Sequence, residues 1–60
     1  MLPADKDLLT VEEVAHYLGC HPRTVYRYIR AGNLIAIKLG REYRIERADL
    51  DRFLEERKTA

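Results

Sequence analysis

A single cysteine, Cys20, leaves no partner for a disulfide within the chain, so the staple that small secreted folds rely on is missing. A reducing interior suits such a sequence, and a cytoplasmic location is expected. The opening stretch Met1 to Asp7 has neither a basic n-region nor an apolar h-region. No apolar run approaches the roughly 18 residues that a membrane span needs, so neither targeting nor membrane contact is expected. Internal repeats, low-complexity tracts and flexible linkers are also absent. There is no glycine-rich phosphate loop, no nucleophile at a usable spacing from a base, and no length for a sizeable pocket. An enzyme, a bound cofactor and a small-molecule ligand are therefore not expected. His16, Cys20 and His21 resemble the start of a metal site but lack a fourth ligand and the usual paired spacing, so no metal is expected.

What is present suffices for one domain. Sixty residues at 47% hydrophobic content build one modest core, and a chain of this length buries about 60% of its unfolded surface. A single domain over residues 1–60 is expected. The net charge of +1 conceals an uneven distribution. Residues 1–20 carry Lys6 against Asp5, Asp7, Glu12 and Glu13, for −3. Residues 48–60 carry Arg52, Arg57 and Lys58 against Asp49, Asp51, Glu55 and Glu56, for −1. Residues 21–47 hold Arg23, Arg27, Arg30, Lys38, Arg41, Arg44 and Arg47 against Glu42 and Glu46, for +5. That segment has the footprint of a polyanion-binding face, although clustered cations also serve simply to solvate a surface.

After a polar lead-in over Asp5 to Leu8, Thr10-Val11-Glu12-Glu13 forms a capping box, with Leu9 and Val14 at the positions of a hydrophobic staple. Val11, Val14, Ala15 and Leu18 continue as one apolar stripe to Gly19, a residue suited to the left-handed end of a helix. Pro22 opens a second helix with His21 at its N-cap, and Cys20 and Val25 repeat the staple spacing. At 100° per residue Val25 and Ile29 face one way and Arg23, Arg27 and Arg30 the other, with Thr24, Tyr26 and Tyr28 on the flanks. Ala31-Gly32-Asn33 ends that helix.

From Leu34 the period shortens to two, through Ile35, Ile37 and Leu39 and, after Gly40-Arg41, through Tyr43 to Ile45. This pattern predicts a β-hairpin that packs Ile37, Leu39, Tyr43 and Ile45 on the helices, turns Lys38 and Arg44 outward, and carries Arg41 near its tip. Tyr28 and Tyr43 fit the edge of a core better than a row of stacking rings. Leu50, Phe53 and Leu54 mark a third helix, with Ile45 and Leu50 as a third staple. The fold class expected is α+β, mainly α: a helix-turn-helix over about 10–31, a hairpin wing over about 35–45 and a C-terminal helix over about 47–57.

Two helices joined by about three residues around a glycine form the unit whose second helix enters a DNA groove, though the same corner is often purely structural. The motifs run Leu9 to Ala15, Leu18-Gly19, Arg23 to Arg27, Gly32-Asn33-Leu34, Gly40 to Ile45, Asp49-Leu50 and Phe53-Leu54. In that order they resemble the excisionase-like, MerR-related small helix-turn-helix domains over nearly the whole chain. His21-Pro22 departs from the serine and polar residue more usual there. The resemblance implies a winged-helix-like fold, with Arg23, Thr24, Tyr26 and Arg27 at recognition-helix positions and Lys38, Arg41 and Arg44 on a wing that follows the phosphate backbone. Pro22, beside the first amides of the helix, and Arg30 complete the candidate set. By chemistry, Arg23 or Arg27 can pair with guanine O6 and N7, while Thr24 and the Tyr26 hydroxyl can donate to phosphate.

Two roles follow from the resemblance: transcriptional regulation, or directing site-specific recombination as excisionases do. The partners are then double-stranded DNA and either an integrase or recombinase, or the transcription machinery. Full MerR regulators add a long dimerising helix and an effector domain, so effector sensing is not expected of a chain ending at Ala60. One recognition helix makes a small interface, and homodimerisation or cooperative assembly on DNA is expected to supply specificity. The competing reading is a protein-interaction module in which the acidic C-terminal helix, through Asp49, Asp51, Glu55 and Glu56, docks on a basic partner.

Overall fold

A computed structural model describes residues 7–58 and runs in the order β1 (Leu8–Thr10), α1 (Val11–Leu18), α2 (Pro22–Arg30), β2 (Ile37–Leu39), β3 (Glu42–Glu46) and α3 (Arg47–Arg57). This is an α+β fold of three helices and a small open sheet, as the periodicities imply. The Thr10 hydroxyl accepts from the Glu13 amide at 3.0 Å and the Glu13 carboxylate accepts from the Thr10 amide at 2.8 Å, so α1 starts where the capping box places it. It stops at Gly19, whose φ of +70° lets the Gly19 and Cys20 amides turn back onto the carbonyls of His16 and Ala15, at 3.2 and 3.0 Å. A Cβ built on Gly19 meets nothing within 4 Å, so replacing it strains only the backbone. Gly19→Ala is expected to cost about 1 kcal/mol, seen as a lower urea midpoint at unchanged slope.

The strand β1 was not legible in the sequence. Leu8 falls in the stretch expected to be a polar lead-in and Leu9 at the expected staple position, and they pair antiparallel with β3, Leu8 opposite Glu46 and Leu9 opposite Ile45. Asp5 and Lys6, also assigned to that lead-in, lie outside the described residues. The sheet order is β1-β3-β2, with β3 in the middle. Leu9 and Ile45 are fully buried where they face each other, and with Val11, Val14, Ala15, Val25, Leu34, Leu50 and Phe53 they form the core. Ala15 is buried in this cluster, and Leu18, Cys20 and Ile29 pack against it partly buried. Ile45 and Leu50, the third staple, are both buried at the entry to α3.

The hairpin forms, but its pairing reverses one face of the expected arrangement. Ile37 lies opposite Arg44, Lys38 opposite Tyr43 and Leu39 opposite Glu42. Residues directly opposite share a face, so Ile37 and Leu39 sit with Glu42 and Arg44 on the outer side, while Lys38 shares the side of Tyr43 and Ile45. Leu39 is 51% exposed as a result. The cause is the turn. Gly40 has a φ of +63° and Arg41 a negative one, the signs of a two-residue type II′ loop. A two-residue loop sets odd-numbered residues of one strand against even-numbered residues of the other.

Candidate nucleic-acid interface

The elements above hold α2 by its apolar side and leave its cationic side free. Val25 is buried against α1 and Ile29 is half-buried, whereas Arg23, Arg27 and Arg30 are exposed. An open groove of about 550 Å³ runs along this side, lined by His21, Pro22, Arg23, Tyr26, Arg27 and Arg30. None of those residues is acidic, so the guanidinium field there is not neutralised by a carboxylate in the groove wall. Five of the six helix positions singled out in the sequence meet in this groove. Thr24 does not line it and is half-buried.

His21 does line it and was not among the singled-out residues. Its Nδ1 accepts the Arg23 amide at 3.1 Å, so histidine caps the helix in place of the commoner oxygen side chains. The Thr24 amide donates to the His21 carbonyl at 2.9 Å. With Pro22 lacking a donor and the Arg23 and Thr24 amides engaged, neither of those two amides at the start of α2 is free to bind an anion.

Tyr26 ties the helix to the wing. Its ring meets that of Tyr43 edge-on, with centroids 6.1 Å apart and planes at 62°. Lys38, on the same side of the sheet as Tyr43, is exposed beside this junction, and Arg41 is exposed in the turn. Arg44 goes elsewhere. It lies on the opposite side of the sheet, 27% exposed, and its Nη1 donates to Glu42 Oε1 at 3.3 Å and to the Tyr43 carbonyl at 3.0 Å. The three wing cations are thus split, two on the side of Tyr43 or at the tip and one held by an acid behind it.

Tyr28 and Tyr43 pack against the core, as their spacing implied. Tyr28 lies edge-on to Phe53 at 5.0 Å, and the Arg57 guanidinium covers both rings at 5.0 and 4.1 Å. Among the described residues no group of three His, Cys, Asp or Glu side chains could hold a metal ion, and no helix is long and apolar enough to cross a membrane.

Comparison with known proteins agrees with this architecture. Residues 8–58 match the family described as the helix-turn-helix domain. Two curated relatives come from Mycobacterium tuberculosis strains CDC 1551 / Oshkosh and H37Rv, and each is named provisionally as a DNA-binding protein. Each is 43% identical over 42 residues, covering 70% of this chain and 54% of its own length. The chain therefore spans about half the length of the curated relatives it matches. No solved structure matches it. With nearly all of its described residues inside the matched segment and its two helices set at a glycine corner, the chain belongs to the helix-turn-helix domain family.

Proposed function

We propose that this chain binds double-stranded DNA, placing α2 in the major groove and its wing on the adjoining phosphate backbone. The observation that carries the reading is the groove on the exposed side of α2, fenced by Arg23, Arg27 and Arg30 without an acidic residue. Guanidinium groups there are free to pair with guanine edges or phosphates, and Lys38 and Arg41 extend the same charge along the wing. Within the family, the motif pattern favours the excisionase-like, MerR-related branch. The process served is then transcriptional regulation or recombination directionality in the cytoplasm, with the 60 residues acting as one DNA-binding module. Dimerisation or cooperative assembly on DNA supplies the specificity that one helix lacks.

Fluorescence-anisotropy titration of a random-sequence duplex across a salt series tests this. Five cations facing the duplex predict a slope of log affinity against log salt of about −4 to −5. Absence of association at low salt overturns the proposal. The position of Glu42 yields a second expectation. Glu42→Gln removes a negative charge from the wing and frees Arg44, so binding to the same duplex is expected to tighten about threefold at low salt. Its effect on stability is small, since an exposed ion pair of this kind contributes about 0–1 kcal/mol.

A further inference from the structure

The imidazole at the start of α2 does more than a serine in its place could. An imidazole nitrogen accepts a hydrogen bond only when it carries no hydrogen, so the bond from the Arg23 amide to His21 Nδ1 selects the neutral tautomer with its hydrogen on Nε2. The two ring nitrogens point in different directions. With Nδ1 turned back onto the helix, the Nε2–H is directed away from the amide it caps. The ring is exposed in the wall of the arginine groove, and among the described residues Nε2 has no acceptor. Serine or aspartate would satisfy the same amide and reach no further.

We propose that His21 is a positioning residue of the DNA face, donating from Nε2–H to a backbone phosphate oxygen at the edge of the groove that α2 enters. This rests on the DNA-binding reading above. The cap fixes the ring's tautomer and orientation before DNA arrives, so little side-chain freedom is lost on docking. Because the imidazole donates as a neutral group, it adds affinity without adding to counterion release. That separates it from Arg23, Arg27 and Arg30, whose contacts carry the salt dependence.

The test compares the whole chain with His21→Ser and His21→Ala in one buffer at about pH 8. His21→Ser keeps a capping oxygen and is expected to melt with the wild type, yet to bind a random-sequence duplex about tenfold more weakly, the effect of losing one hydrogen bond to a charged acceptor. Its salt slope stays that of the wild type. His21→Ala loses the cap as well and shows a lower urea midpoint in addition. Nitrogen-15 spectra of the free chain are expected to show the Nε2–H tautomer, with the Nε2 resonance moving when duplex is added. Wild-type affinity in His21→Ser, or an Nδ1–H tautomer in the free chain, overturns the inference while leaving DNA binding intact. A wild-type chain that does not bind at low salt overturns both, so the two failures are distinguishable.

Discussion

Replacing Arg23 and Arg27 together by alanine is expected to weaken binding to a duplex at least about 30-fold at low salt and to flatten the salt slope by about two. Each guanidinium in a bidentate pair with guanine is worth roughly 1–3 kcal/mol, so the pair is worth roughly 2–6 kcal/mol. A loss of about 2 kcal/mol, the lower end, is already about 30-fold. Both side chains are exposed on the side of α2 away from Val25, so the melting temperature should hold, since surface changes of this kind stay within about 0.5 kcal/mol. Arg44→Ala is the matched comparison. Arg44 carries the same charge in the same basic segment but sits behind the sheet on Glu42, so its removal should leave the slope almost unchanged. Equal losses from Arg44→Ala and from the Arg23, Arg27 pair would mean that net charge, and not the groove along α2, drives association.

The largest effect on folding is expected from Ile45→Ala. Ile45 is fully buried, opposes Leu9 across the strand pair and staples the entry of α3 through Leu50. Removing such a side chain costs about 2–5 kcal/mol. A chain of this size is stabilised by only about 3–9 kcal/mol in total. The loss amounts to a fall in melting temperature of roughly 10–40 °C, enough to leave the variant largely unfolded at ordinary temperatures. Calorimetry or far-ultraviolet circular dichroism measures this. Leu39→Ala removes as much hydrocarbon from the adjoining strand, yet should change stability by less than about 0.5 kcal/mol because Leu39 is 51% exposed. If Leu39→Ala proved as damaging as Ile45→Ala, the register that sets Leu39 opposite Glu42 would be wrong.

That register also shows where reading the sequence succeeds and where it stops. Helix boundaries were legible because their signals are local: Thr10 and Glu13 bond across one turn, Pro22 can only open a helix, and Ile45 and Leu50 meet across Glu46. The face carrying Arg23, Arg27 and Arg30 was legible for the same reason, since rotation along a helix is fixed by spacing. The strand β1 was not, because three residues carry no readable alternation and their partners lie more than thirty positions along the chain. The sidedness of Ile37 and Leu39 was misled by hydrophobicity, which aligned them with Tyr43 and Ile45. The two residues Gly40-Arg41 decide otherwise, because a loop of that length fixes the register whatever the apolar pattern favours. Arg44 with Glu42 follows the same logic, since residues two apart on a strand share a side.

The central place of β3 has a mechanical consequence. At its end β3 runs straight into α3, along one edge it is hydrogen-bonded to the strand that leads through Thr10 into α1, and through Tyr43 it leans on the ring of Tyr26 in α2. Helix and hairpin tip are therefore set like the jaws of a caliper, with β3 braced on three sides between them. Such bracing favours a set gap over one that adjusts to what it grips. Under the proposed reading, the duplex must supply the adjustment, and the ease with which a stretch of DNA narrows or bends would sort its sites even at base pairs that no side chain touches.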